Sequence, residues 1–231
     1  MTAKTINALF ISSTDTGVGK TYFSSFLISQ LIDQRVFSTK QIAYYKPIQC
    51  GLEIRNGKPK TDCDYITENN PGVEVFNSYF LQYPAAPNFA ASIENITIDL
   101  NKIKKDFEEL KAKFDFVIVE GAGGLAVPIT DNFLVSDLAQ YLDLPLVLVI
   151  RPDLGTINHS LLSIEHARNK DLEILGIYVS TPNPNNNETY SGTNEKTDQL
   201  QKKSAIDSIL SMGKVKIFNL NDLKCTIPQK N

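Results

Sequence analysis

Residues Phe10-Ile11-Ser12-Ser13-Thr14-Asp15-Thr16-Gly17-Val18-Gly19-Lys20-Thr21 carry a short apolar stretch into a glycine-containing turn that ends in Gly-Lys-Thr, and an amphipathic stretch follows directly. A strand, a glycine turn, Gly-Lys-Thr and a helix, in that order, make a cradle for nucleotide phosphates. Successive backbone N–H groups and the positive end of the helix dipole face the phosphate oxygens. The lysine reaches the β- and γ-phosphates, and the threonine hydroxyl is placed for Mg2+. The usual loop opens on a glycine separated by four residues from Gly-Lys-Ser/Thr; here that position is Thr14, with Ser13 the nearest equivalent, so the loop is a variant. A plain strand-to-helix turn using Gly17 and Gly19 for their φ freedom would share part of the pattern. The order of all four parts favours phosphate binding and an ATP-using protein.

A chain of 231 residues, 42% hydrophobic and 21% charged, suits one α/β domain spanning residues 1–231. A formal net charge of −3 offers no electrostatic reason to expect nucleic acid or an anionic membrane as partner. The longest apolar runs, such as Leu146–Ile150, are only strand-length, and the N-terminal run meets Ser12 and Asp15 too early for a signal peptide. A cytoplasmic location is expected. Cys50, Cys63 and Cys225 stand far apart with no Cys-x-x-Cys pair, which indicates free thiols rather than disulfides or a zinc site.

Apolar, β-rich runs recur at Ala8–Ile11, Ile42–Tyr45, Phe116–Val119, Leu146–Ile150, Ile174–Val179 and Val215–Phe218, with helical patterns between most of them. The alternation predicts a single-domain P-loop NTPase-like α/β fold, its mainly parallel central sheet covered by helices on both faces. Ligands of such folds collect at the carboxyl ends of the strands. Helices are predicted over Thr21–Asp33, with Phe23, Phe26, Leu27 and Leu31 on one side, and over Leu100–Lys113, where Ile103, Phe107 and Leu110 recur at helical spacing. Residues 181–197, polar and rich in Asn, Pro and Thr, are predicted as a mobile surface loop.

Four further groups could carry chemistry. Glu120-Gly121-Ala122-Gly123-Gly124 follows an apolar strand, where a carboxylate can hold Mg2+ and glycines let backbone approach phosphate; a tight turn with a solvated glutamate reads equally simply. Lys46, in Tyr45-Lys46-Pro47, stands at a strand end, where it either neutralises a transferring phosphoryl group or is merely solvated. By itself the segment favours the solvated lysine. Asp62 and Asp64 form an acidic pair after Thr61. They read as helix capping, with Thr61 or Asp62 as N-cap, or as one carboxylate joining Thr21 and Glu120 at a cation. Gly155-Thr156-Ile157-Asn158 opens a predicted helix, a natural carboxylate site or an ordinary cap. His159 and His166 have no metal-ligand partners at suitable spacing and read as structural or solvated.

Together, the Thr14–Thr21 loop, Tyr45-Lys46-Pro47, Glu120-Gly121-Ala122-Gly123-Gly124 with Pro128, and Leu154-Gly155-Thr156-Ile157-Asn158-His159 resemble the dethiobiotin synthetase family over roughly the first 180 residues. The resemblance implies an ATP-dependent cyclo-ligase of biotin biosynthesis: CO2 and 7,8-diaminononanoate give a carbamate, ATP phosphorylates it, and the second amine closes a cyclic urea, leaving ADP and phosphate. It implies that Gly17, Val18, Gly19, Lys20, Thr21 and Tyr22 hold the triphosphate, with Glu120, Gly121, Ala122, Gly123, Ser180 and Thr181 on the nucleotide. It further implies that Thr21, Asp62 and Glu120 bind Mg2+, and that Lys20, Lys46 and Thr16 serve the reacting groups. Cys50, Gly155, Thr156, Ile157 and Asn158 would hold substrate, the last four from the partner subunit of a homodimer whose active site lies at the subunit interface. Cys50 stands where the family has serine, a weaker hydrogen-bonding exchange that would leave the position open to oxidation. Ser180 stands where the family has an adenine-reading asparagine, so the preferred nucleotide is not implied.

A partitioning or positioning switch ATPase shares the expected architecture, but that class resembles a loop with a second lysine five residues before the conserved one, where Asp15 stands. Another P-loop ligase, such as one amidating a corrinoid, would need ammonia delivery, and no appended glutaminase segment is apparent.

Overall fold

The apolar runs assemble into one six-stranded sheet: β1 (Ala8–Ser13), β2 (Ile42–Tyr45), β3 (Glu74–Phe76), β4 (Phe116–Gly124), β5 (Leu146–Ile150) and β6 (Ile174–Val179). A computed structural model describes residues 6–55, 57–180 and 195–224. The strands lie in the order β6-β5-β1-β4-β2-β3, and every pairing is parallel. Parallel strands need crossovers, and helices supply them on both faces. β1 lies between β4 and β5, so its residues are buried on both sides, which is why Ala8–Ile11 reads as an unbroken apolar run.

The two faces follow the strand period of two. Leu9, Ile11, Tyr44, Ile118, Val147 and Val149 pack with Phe23, Leu27, Ile28 and Leu31 of helix α1 (Lys20–Asp33). Phe10, Val117, Val119, Leu146 and Leu148 pack on the other face, where helix α3 (Leu100–Lys113) buries Ile103, Phe107 and Leu110. Helix α2 (Asp62–Asn69) runs beside α1. The α3 boundaries are those its sequence predicts. Its Asp99 N-cap accepts a hydrogen bond from the Asn101 N–H, and Lys111 and Lys113 oppose the dipole in the last turn. α1 departs from expectation in one respect: Phe26 is 43% exposed, and Ile28 takes the inward place.

Other departures lie at the sheet edges. Val215–Phe218 forms no strand; Ile217 makes one isolated parallel bridge to Ile177. Instead β3, only three residues long and partly exposed, completes the opposite edge. Residues 195–197, expected in a loop, begin helix α5 (Glu195–Gly213), which packs on helix α4 (Thr156–Asn169). The rest of that expected loop, 181–194, lies outside the described residues, as does Thr181. Among the described residues no helix is long and apolar enough to cross a membrane.

Candidate active site

At the carboxyl end of β1 the chain turns through Gly17 (φ 70°) and Gly19 (φ 109°), both in the left-handed region that favours glycine. Gly19 is also where the loop abuts the Ser180 side chain, with no room for a Cβ between them. α1 starts at Lys20, with Gly19 as a cap that has no side chain to occupy the first-turn N–H groups. Ser13, in extended β1, accounts for the variant loop: its hydroxyl accepts from Lys20 Nζ at 2.9 Å and donates to the Asp15 carbonyl. The lysine head thus folds back over its own loop. Burial, reinforced by nearby Lys46, lowers its pKa to about 8.

The next inward positions of α1 face Glu120. Thr21 Oγ1 lies 2.9 Å from Asp62 Oδ1 and 2.9 Å from Glu120 Oε1, and the Ser24 hydroxyl donates to Glu120 Oε2 at 2.7 Å. Lys46 Nζ lies between the same two carboxylates, 2.9 Å from Asp62 Oδ2 and 2.9 Å from Glu120 Oε1, and donates to the Gly121 carbonyl at 3.0 Å. Lys46 is 4% exposed and Glu120 wholly buried, so neither is the solvated end-of-strand charge that the segments taken alone allow. Burial lowers the Lys46 pKa, but the attraction of Asp62 and Glu120 outweighs it and the net direction is upward.

The Asp62/Asp64 alternatives separate cleanly. Thr61 is the N-cap of α2: its hydroxyl accepts from the Asp64 N–H at 3.0 Å, and Asp64 Oδ2 accepts from the Thr61 N–H at 2.8 Å. With Asp64 committed to capping, Asp62 turns inward to Thr21 and Lys46. Gln49, which sequence reasoning missed, positions it: Gln49 Oε1 accepts from the Asp62 N–H at 3.2 Å, and Gln49 Nε2 donates to the Gly51 carbonyl at 3.1 Å. No local pattern announces Gln49. Ser24 was missed as well, although its place one turn after Lys20 was a usable signal.

The residues fit Mg2+. One hydroxyl proton satisfies only one carboxylate at a time, so Thr21 Oγ1 faces one of its two neighbours oxygen to oxygen. Adjacent ligands of an octahedral Mg2+ with bonds of 2.0–2.1 Å stand about 2.9 Å apart, the spacing of Thr21 Oγ1 from both carboxylates. Among the described residues no group of three or more His, Cys, Asp and Glu gathers for a metal. Two carboxylates and a hydroxyl leave positions for phosphate oxygens and water, as suits Mg2+ on a nucleotide.

These groups line a cleft of about 550 Å3. Thr16, Lys20, Thr21, Lys46, Asp62 and Glu120 form its polar wall; Ile48, Cys50, Leu52, Pro84 and Val127 form an apolar one. Gly17, Gly19, Tyr22, Ala122 and Gly123 also border it, whereas Val18 turns its side chain into the core. Gly121 does not line it; a Cβ there would press on the Phe10 ring and Val135 at 2.9 Å, so packing requires the glycine and only its carbonyl serves the site. Ser180 rests against Gly19 rather than lining the cleft. Gly155 (φ 91°), Thr156, Ile157 and Asn158 form the start of α4 and are likewise not among its lining residues.

Burial argues against the oxidation sensitivity expected at Cys50. Burial, only partly opposed by Lys46, pushes it up to about 11, and burial pushes Cys63 to about 12. At pH 8, iodoacetamide should therefore alkylate either cysteine roughly a hundredfold more slowly than an exposed thiol of pKa about 8.5, as peptide mass spectrometry of the native protein would show. Modification of Cys50 at the free-thiol rate would contradict the burial argument.

A family profile described as an AAA domain matches residues 7–219. The chain is 42% identical over 181 residues to an ATP-dependent dethiobiotin synthetase of Methanocaldococcus jannaschii, covering 74% of this chain and 78% of that protein. It is 41% identical over 184 residues to a protein of the same name from Anoxybacillus flavithermus, covering 77% and 81%. Among solved structures it resembles the MinD cell division protein of Aquifex aeolicus, with TM-score 0.53, 16% identity, and coverage of 95% of this chain and 86% of that one. At such identity that likeness shows the shared P-loop NTPase fold alone. Sequence identity sustained over most of both chains, on a fold whose strand ends gather Lys20, Lys46 and two carboxylates, leads to one assignment: the chain belongs to the ATP-dependent dethiobiotin synthetase family.

Proposed function

We propose that the protein is the ligase that converts 7,8-diaminononanoate, CO2 and ATP to dethiobiotin, ADP and phosphate. Family membership supports the reaction, and the observation that carries the chemistry is Lys46, buried between Asp62 and Glu120 on the same polar wall as Lys20. One amine of the diamine takes up CO2 as a carbamate. A carbamate oxygen then attacks the γ-phosphorus, and the bond to the ADP oxygen breaks. The second amine attacks the carbamoyl carbon, phosphate leaves with the electron pair of the C–O bond, and the amine proton is lost as the cyclic urea closes.

Every partner in the phosphoryl transfer is anionic, so positioning and charge supply most of the rate. Lys20 binds the β- and γ-phosphates, and Lys46 meets the charge shared by carbamate and γ-phosphate. Thr16, on the polar wall, faces the same region. Thr21, Asp62 and Glu120 would hold Mg2+, which would supply further positive charge to the reaction. The apolar wall at Ile48, Leu52 and Val127 suits the methylene chain. A homodimer, in which the start of α4 enters the partner's cleft, would bring Gly155–Asn158 to the substrate carboxylate; exposed Leu154 and Ile157 at that helix start support this arrangement. A cytoplasmic location accords with the reading.

The test is phosphate release from Mg2+·ATP with bicarbonate, with and without the diamine, followed by product mass. Diamine-dependent release and a product heavier by one carbonyl minus two hydrogens are expected; release indifferent to the diamine would overturn the substrate assignment. A pH dependence follows from Lys20. Its pKa near 8 in the free protein rises when phosphate supplies the counter-charge, so the bound form holds the proton more tightly. Affinity for nucleotide should be full below pH 8 and fall above it, by up to about tenfold per pH unit. Calorimetry near pH 8.5 in buffers of different ionisation enthalpy should detect proton uptake on binding; equal heats in all buffers would exclude it.

A further inference from the structure

Two buried hydroxyls, those of Ser12 and Tyr44, have no hydrogen-bond partner among the described residues. Such orphans are uncommon in a folded core and call for an explanation. Ser12 alternates with Ile11 and so lies on the α3 side of the sheet, away from the carboxylates. Tyr44 lies on the α1 side. It is paired with Ile118 in register and stands two residues before Lys46, just as Ile118 stands two residues before Glu120. Its ring is fully buried, and Glu120 and Asp62 are the charged groups that act on it most strongly. Burial and those two carboxylates hold the phenol well above its ordinary pKa, and Glu120 lies within the hydroxyl's reach although no well-formed hydrogen bond joins them.

Glu120 has three donors in this arrangement: Thr21, Ser24 and Lys46. The proposed reaction draws two of them away, since Lys46 must meet the transferring phosphoryl group and Thr21 must serve Mg2+. A buried carboxylate left with Ser24 alone would lose its orientation. We infer that Tyr44 is a positioning residue whose hydroxyl, without a partner while Lys46 pairs with Glu120, donates to Glu120 once Lys46 turns to the phosphoryl group. The inference rests on the proposed function, and it explains why an unpaired hydroxyl is kept beneath the site. Phenylalanine would fill the same space without the orphan.

Tyr44→Phe therefore has opposite expected effects on fold and function. Without ligands its Tm should equal or exceed that of the wild type, because an unpaired polar atom leaves the core. Its kcat should fall about tenfold with KM for ATP within about twofold, and the Mg2+ needed to bind a non-hydrolysable ATP analogue, measured by calorimetry, should rise at least about threefold. Either functional change in a variant of undiminished Tm supports the inference. If kcat and the Mg2+ requirement both stay within twofold of wild type, Tyr44 is a packing residue and the inference is overturned. The failures are distinguishable: a wild type indifferent to the diamine defeats the substrate assignment, whereas the Mg2+ requirement for analogue binding still decides the role of Tyr44.

Discussion

Replacing Lys46 by methionine should lower kcat by roughly 10²–10³-fold, the range for removing one preorganised group that meets developing charge. The same change should destabilise the ligand-free protein. A solvated lysine at the end of a strand could be removed with folding nearly unchanged, which is what Tyr45-Lys46-Pro47 suggests on its own. In the folded chain Lys46 is the cation between Asp62 and Glu120, both nearly inaccessible to water. Removing one partner of a buried ion pair costs about 3–5 kcal/mol, because the remaining charge is left uncompensated. For a chain of this size that is a fall in Tm of about 6–20 °C. Mg2+ held by the same carboxylates would supply positive charge there, so it should restore stability to Lys46→Met far more than it adds to the wild type, while leaving turnover low. Thermal melts with and without Mg2+, paired with diamine-dependent phosphate release, check both halves. A variant with normal turnover would remove Lys46 from the reaction, and one with an unchanged Tm would contradict the buried ion-pair geometry.

Glu120→Gln isolates charge from shape. Glu120 Oε1 accepts from Thr21 and Lys46, and Oε2 accepts from Ser24. An amide placed with its oxygen at the first position keeps two of these bonds. Its NH2 then faces Ser24, whose hydroxyl can accept while donating to the Lys20 carbonyl, already 3.0 Å away. The variant should fold with a Tm close to that of the wild type. What it loses is one negative charge at the proposed cation site, so the Mg2+ giving half-maximal rate should rise at least about tenfold and kcat should fall about 10²-fold. Asp62→Asn should move both quantities in the same direction, and Asp64→Asn neither, since Asp64 is a capping residue. An unchanged Mg2+ titration for Glu120→Gln would take that residue out of the metal site.

What could be read along the chain and what could not divide by the distance over which each signal acts. The strand, glycine turn and helix at residues 8–33, the five main strands and α3 are patterns of consecutive residues. A glycine turn between strand and helix, an unbroken apolar run and a three-to-four repeat each state their local geometry wherever the chain folds, and those assignments agree with the structure. The edge strand β3 was missed because three half-exposed residues carry almost no period, and Val215–Phe218 was overread because an apolar run does not say whether the sheet has a place for it. The charged residues depended on packing entirely. Lys46 and Glu120 are 74 positions apart, and only the adjacency of β2 and β4 in the sheet brings ammonium and carboxylate together. The choice between Asp62 and Asp64 fell to a capping box at Thr61, which took one carboxylate and left the other facing inward. The sequence by itself determined that this chain would cradle phosphate at the end of a buried parallel strand, because backbone geometry and periodicity are local. Only the tertiary structure decided which lysine and which carboxylates gather beside that cradle, because burial and pairing of charge depend on which strands lie side by side.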